Sequence, residues 1–312
     1  LPYLNKEFGN PSNLYKLGRN AGHAVTEATK TITKILGCRH DEFVYTGSAT
    51  EADNLAILGT VRANKEKGNR IIVSQIEHKG ILAVCKILSK EGFDVVELPV
   101  GKDGLVEISA LEKALTPQTI LVSITSADSE TGTIQPISEI SKIIKEFRGK
   151  NNGVLPYFHT DASQSAGYLD IDVDKLGIDM MTLSAHKIYG PKGIGGLYVR
   201  QGTKINPIIY GGGQQGQLRS GTENVPGIVG FAQALSLCEK NKKTKALGMK
   251  KMRDALEKGI FKLIPKVVLN GHPTKRLPNF LNVSILDIEG EALLLYLDKL
   301  GIMVSTGSAC NS

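Results

Sequence analysis

The stretch Thr182-Leu183-Ser184-Ala185-His186-Lys187-Ile188-Tyr189-Gly190-Pro191-Lys192-Gly193 joins an apolar run to a small polar cluster, one lysine and a Gly/Pro turn. Residues 178–183 read as a buried strand broken by Asp179, which places Lys187 just beyond a strand end. Burial lowers an amine's pKa because the charged form loses solvation, and such an amine can form a Schiff base with a carbonyl. A lysine in a surface loop is the competing reading. The other segments have to decide between the two.

Four further clusters follow apolar runs in the same way. Gly47-Ser48-Ala49-Thr50 follows 43–46, His78 follows 71–73, Ser126 to Thr133 follow 120–124, and Asp161 and Gln164 follow 154–159. Gly47 to Thr50 open a helix with small residues and hydroxyls, where backbone N–H groups and the helix dipole favour a phosphate. Plain N-capping by Ser48 or Thr50 explains the same residues. No GxxxxGK[ST] occurs, and Gly193-Ile194-Gly195-Gly196 lacks GxGxxG spacing, so nucleotide binding is disfavoured. A Schiff-base lysine, a carboxylate and a phosphate cradle together match pyridoxal phosphate. Asp161 would hold the proton on its ring nitrogen, although an N-cap before Ala162-Ser163-Gln164 is the alternative. His78 would stack on the ring and shuttle protons, or serve only a structural purpose.

The elements that must position these residues alternate strand and helix. Helical periodicity covers 10–36 up to Gly37, the segment after Gly47, the segment after His78, 108–115, 137–147 and 226–262; apolar strands lie between. Strands that are apolar throughout imply an α/β fold with a mostly parallel sheet covered on both faces. Ligands then bind beyond the carboxyl ends of the strands, where all five clusters fall. Residues 194–199 return after the Gly/Pro turn as an antiparallel neighbour. The tail reads as strand 281–285, helix 289–299 and strand 302–304, giving a large domain over 1–240 and a smaller α+β domain over 241–312.

The balance of 38 Lys and Arg against 31 Asp and Glu gives a net charge of +7. Part of the excess sits in Lys240, Lys242, Lys243, Lys245, Lys250 and Lys251, with no aromatics interleaved, so a solvated helical face is favoured over a nucleic-acid patch. No apolar run reaches membrane-spanning length. Cys38, Cys85, Cys238 and Cys310 are scattered without metal-ligand or disulfide-scaffold spacing, which fits a reducing cytoplasm.

These segments resemble the NifS/IscS-type cysteine desulfurases, of the class V pyridoxal-phosphate-dependent aminotransferase family. The resemblance rests on the Lys187 stretch, Gly211-Gly212-Gly213-Gln214, Arg219-Ser220-Gly221-Thr222-Glu223-Asn224-Val225-Pro226-Gly227 and Ser305-Thr306-Gly307-Ser308-Ala309-Cys310. Gly9-Asn10-Pro11-Ser12, Ala49-Thr50-Glu51-Ala52-Asp53-Asn54-Leu55-Ala56 and Gly132-Thr133-Ile134-Gln135-Pro136 add to it. It implies a homodimer of the aspartate aminotransferase fold (fold type I) that takes sulfur from L-cysteine, giving L-alanine and an enzyme persulfide. The sulfur would go to an acceptor such as an iron–sulfur scaffold, or to tRNA thiolation. By position, Lys187 is the Schiff-base lysine and base, His78 stacks on the ring, Asp161 pairs with the ring nitrogen, and Gln164 bonds the phenolic oxygen. Ala49, Thr50, Ser184 and His186 line the phosphate, with Thr222 reaching over from the other subunit. Cys310 is the nucleophile that receives the sulfur.

The sequence departs from the family at Asp128-Ser129-Glu130, where Ser129 matches a cofactor-contacting asparagine, at Ser126, where a histidine is common, and at Lys79. The family's Asp-Asn-Ala-Ala-Thr-Thr-like segment does not precede Leu1, and its substrate-gripping arginine would follow Ser312, so the chain is expected to be truncated at both ends. A selenocysteine lyase or another class V aminotransferase would not need Cys310 in the same way. A sulfur-assembly partner without activity is a third reading, against which Lys187 and Cys310 both weigh.

Overall fold

The computed structural model describes residues 2–307. In chain order the elements are α1 (Pro2–Asn5), α2 (Lys16–Leu36), β1 (Phe43–Thr46), α3 (Ala49–Asn64), β2 (Arg70–Ser74), α4 (Lys79–Lys90), β3 (Asp94–Leu98), α5 (Ile108–Ala114) and β4 (Thr119–Ser123). There follow α6 (Ile137–Lys150), β5 (Tyr157–Asp161), α7 (Val173–Leu176), β6 (Met180–Ser184), β7 (Gly195–Val199), α8 (Val225–Leu263), β8 (Val267–Leu269), β9 (Val283–Ile285) and α9 (Gly290–Lys299).

Seven strands form one sheet in the order β1-β7-β6-β5-β4-β2-β3. β2 to β6 run parallel, and β7 is antiparallel to both β1 and β6, as its position after a tight turn predicts. The strands are apolar throughout because both faces are covered. Ile72, Val122, Phe158, Met181 and Tyr198 face α2, α6 and α8. Their sequence neighbours Ile71, Leu121, Tyr157, Met180 and Leu197 face α3 and α4. Fully burying one such side chain stabilises the fold by roughly 1.5–3 kcal/mol. Asp179, the polar break ahead of β6, accepts from Phe158 N at 2.7 Å and pairs with Arg148, so it locks β5, β6 and α6 together.

α2 starts at residue 16, later than its periodicity suggests, and ends at Gly37, whose φ of 70° lets its N–H reach Thr33 O. α8 is a single helix across residues 225–263. Ile228, Phe231, Leu235 and Cys238 bury its first part against the sheet, while Lys240, Lys243, Lys250 and Lys251 lie exposed. The lysine run is thus mostly a solvated face, except that Lys242 is half-buried and pairs with Glu239 at 2.6 Å, and Lys245 Nζ sits 4.0 Å above the Tyr189 ring.

Beyond α8, β8 and β9 pair as a two-stranded antiparallel sheet, and β8 was not expected from sequence. Residues 302–304 are not a strand, because no extended neighbour among the described residues pairs with them. The segment 271–282 is stitched to the loop after β4. His272 N donates to Thr133 Oγ1 (3.0 Å), Ile134 N to Lys275 O (2.9 Å), Leu277 N to Gly132 O (2.9 Å), and Asn282 Nδ2 to Glu130 O (3.2 Å). Among the described residues, no helix is long and apolar enough to cross a membrane.

Candidate active site

The carboxyl ends of β1, β2, β4, β5 and β6 open on one edge of the sheet, and each carries part of the predicted set. After β1, Ser48 adopts an extended backbone and its Oγ accepts from Glu51 N at 3.1 Å, capping α3. Gly47 N donates to Glu51 Oε2 at 2.8 Å, and Arg219 Nε holds Glu51 Oε1 at 2.8 Å. Capping and cradle are compatible here. Ser48 satisfies one N–H of the first turn, while Ala49 is only half-buried and Thr50 is exposed. β7 passes so close that a Cβ on Gly195 would lie 2.7 Å from Ser48 C and 2.9 Å from Ala49 N. Gly195 therefore serves close packing against the α3 N-terminus.

His78 is the N-cap of α4, and its Nδ1 accepts from Gly80 N at 3.0 Å. That bond makes Nδ1 the acceptor and leaves the ring proton to Nε2. Asp161 ends β5, buried, with Oδ1 accepting from Ser163 N at 2.8 Å. Burial raises its proton affinity, while the Ser163 hydrogen bond and the nearby His78 and Lys187 pull the other way. Asp161, His78 and Lys187 thus share one electrostatic neighbourhood although they come from three segments.

Ser184 ends β6, and its Oγ lies 3.0 Å from His186 Nδ1. Burial, then Lys187 and Lys192, lower the pKa of His186. Lys187 lies in a single 3-10 turn, His186–Ile188, and is exposed, so the expectation of a buried lysine is corrected. The strand ends at Ser184 and the turn carries the lysine out over the sheet edge. Tyr189 closes the turn at a φ of 66°, held under Lys245.

Two of the departures, Ser126 and Ser129, sit in defined local structure. Ser126 N and Oγ both donate to Asp161 O, at 2.9 and 3.1 Å, so this serine anchors the backbone of the carboxylate. Ser129 tops a turn closed by Asp128, whose Oδ2 accepts from Thr131 N at 2.8 Å. Gln164 is half-buried in the turn after β5, whereas Thr222 is exposed on the loop before α8. Cys310 lies outside the described residues. Cys85 in α4 is buried and Cys38 just past α2 is half-buried; burial pushes both thiols up to about 12, which disfavours the nucleophilic thiolate. Cys238 is buried with its thiol donating to Ile188 O at 3.6 Å.

The family model "Aminotransferase class-V" matches residues 1–312. The chain belongs to the class V aminotransferase family. The cysteine desulfurase IscS of Methanosarcina thermophila is 49% identical over 312 residues, covering all of this chain and 75% of that protein. The one of Dictyoglomus turgidum is 45% identical over 311 residues, covering 77% of that protein. Among solved structures, a NifS-like protein superposes with a TM-score of 0.93 at 37% identity, covering 98% of this chain and 82% of that one. SspA in complex with cysteine gives 0.83 at 35% identity, covering 99% and 84%. The architecture is that of the fold type I, pyridoxal-phosphate-dependent enzymes of this family.

The residues present fit that cofactor. A buried carboxyl, a lysine amine, an imidazole and a helix N-terminus stand around one sheet edge, as an aromatic aldehyde phosphate requires. Sequence reading missed Asp53, Glu77, His159 and Thr182, which are buried beneath this edge. One signal was present: His159 stands two residues before Asp161 on the same strand face, polar where an apolar residue would pack.

Proposed function

We propose that this chain is a cysteine desulfurase that takes sulfur from L-cysteine with pyridoxal phosphate as cofactor, leaving L-alanine and a persulfide on Cys310. The observation that carries this reading is the shared neighbourhood of Asp161, His78 and Lys187 at the strand ends. When bound, the cofactor supplies an electron sink for the substrate's Cα.

The chain's own residues do the rest. Lys187 would hold the cofactor through its aldehyde, and its amine would take the proton from the substrate's Cα. Asp161 keeps the ring nitrogen protonated. His78 would stack on the ring, with its orientation fixed by Gly80 N; Gln164 would hydrogen-bond the ring's oxygen, and Ser129 stands where the family has a cofactor-contacting asparagine. Ala49, Thr50, Ser184 and His186 take the phosphate, joined by Thr222 of the second subunit of a homodimer. The Cys310 thiolate attacks the substrate sulfur. An S–S bond forms, the Cβ–S bond breaks with its electron pair left on carbon, and L-alanine is completed when that carbon takes a proton and the Lys187 amine returns one to Cα. The persulfide then passes its outer sulfur to an acceptor such as an iron–sulfur scaffold, in the cytoplasm.

The purified protein should show the visible band of an imine-bound cofactor, and release sulfide and alanine when given L-cysteine and a reductant. Lys187→Ala should lose the band. Cys310→Ser should keep it and lose sulfide release. A colourless protein, or undiminished sulfide from Cys310→Ser, overturns the reading.

A further inference from the structure

Beneath Asp161 lies a set of buried polar side chains that the reaction above does not use. Asp53, on α3, is fully buried, and neither carboxyl oxygen has a hydrogen-bond partner among the described residues. Its Oδ1 lies 3.8 Å from Nε2 of His159, which is also fully buried. That ring is held between Ser123 Oγ, 2.9 Å from Nδ1, and Thr182 Oγ1, 3.0 Å from Nε2. Thr182 in turn stands opposite Asp161 in the β5–β6 register. Glu77, from the turn before α4, completes the group, with Oε1 accepting from Ser74 Oγ and Thr125 N and Oε2 unpartnered. Asp53 thus lies buried with Asp161 and Glu77 as its neighbouring carboxyls, and neighbouring buried carboxylates resist ionising together.

Their surroundings make them unequal. Burial raises the pKa of Asp161 as well, but Asp161 accepts a backbone hydrogen bond and faces His78 and Lys187, all of which favour its anion. Asp53 faces burial, Asp161 and Glu77, which all disfavour an anion; Thr182 opposes them without completing a hydrogen bond. His159 cannot supply a compensating charge, because burial drives its pKa down to about 3.

We infer that Asp53 is a positioning residue that keeps its proton at neutral pH, leaving Asp161 the negative charge that meets the cofactor's ring. The inference rests on the cofactor reading above for its purpose, though not for its geometry. Were Asp53 ionised as well, repulsion would raise the proton affinity of Asp161. A protonated Asp161 cannot keep the ring nitrogen charged. The neutral Asp53 presents an O–H toward His159 and Thr182, and so spares Asp161 a second charge behind it.

Infrared spectroscopy of protein with isotopically labelled aspartate side-chain carboxyls reads this proton directly. At neutral pH the wild type should show the label-shifted carbonyl stretch of a protonated aspartic acid, and Asp53→Asn should lose it. Absence of the band from the wild type, or its survival in Asp53→Asn, overturns the inference. Asp161→Asn is the second variant: the band must persist there, and its loss would assign the proton to Asp161 and overturn the inference too. These readings need no cofactor, so a colourless protein sinks the proposed function without touching them. In the holoenzyme, Asp53→Asn replaces a neutral group by a neutral group and should leave the pH midpoint of the cofactor band unchanged. A fall of about one pH unit or more would mean that a charge had been removed, and overturns the inference.

Discussion

At the scale of single residues, the site depends on where protons sit. Glu77 is fully buried, and its carboxyl is pushed up to about 8, chiefly by burial. A carboxyl whose folded pKa is raised binds more protons folded than unfolded between the two pKa values. Its stabilising contribution is therefore complete below about 4.5 and is lost as pH rises toward 8. Integrated over that window the loss is at most roughly 4 kcal/mol. Denaturant unfolding should show wild type losing stability relative to Glu77→Gln between about pH 5 and pH 8. An equal pH slope in the two proteins would mean that Glu77 does not keep its proton. The convergence of clusters after apolar runs pointed to Lys187 and Asp161, whereas His78 was chosen only through the resemblance. Those clusters did not reveal Asp53, since a carboxylate in a helical pattern reads as solvated until the sheet beneath it is known.

At the scale of elements, the phosphate cradle is a helix N-terminus whose position is set by what touches it. Ser48 caps α3 and Gly195 lets β7 lie against its first turn. Ser48→Ala should cost about 1 kcal/mol of stability through the lost cap. Gly195→Ala should do something different: its Cβ meets backbone on the α3 turn, so the turn itself must move. We expect cofactor affinity to fall by about tenfold or more (about 1.4 kcal/mol), measured by fluorescence titration of the cofactor-free protein. Affinity at the wild-type level would show that the cradle tolerates the shift. Most elements were legible in the sequence, because continuous apolar strands and amphipathic helices have different periods. β8 and the irregular course of 302–304 were not, because short strands exist only where a partner runs beside them. The exposure of Lys187 was missed for a related reason: a strand end predicts a location, not the direction in which the next turn leaves the sheet.

At the scale of the whole molecule, the lobe after α8 is tied to the sheet domain through the loop that follows β4. Thr133 is central to that seam, accepting from His272 N and donating to Asp103 O at 3.1 Å. Thr133→Val keeps the shape and removes both bonds, leaving two backbone groups unpaired at a cost of about 1–3 kcal/mol. Because the change lies at the seam and not at the strand ends, the cofactor's visible spectrum should stay as in wild type while sulfide release slows. A changed spectrum with unchanged turnover would place the effect in the sheet domain instead.

The place of β1 in the sheet bears on how the protein is made. β1 has one partner, β7, so Phe43 to Thr46 must wait for residues 195–199 before they can be paired. Until then the turn that opens α3 has no strand to lie against. The parallel strands β2 to β5 can assemble earlier during synthesis, since each finds its neighbours sooner. Lys187 sits between β6 and β7, so the lysine and the seating of the phosphate cradle emerge from the ribosome almost together. A nascent chain stopped before residue 195 therefore lacks both the strand that pairs with β1 and the backbone that packs against the first turn of α3.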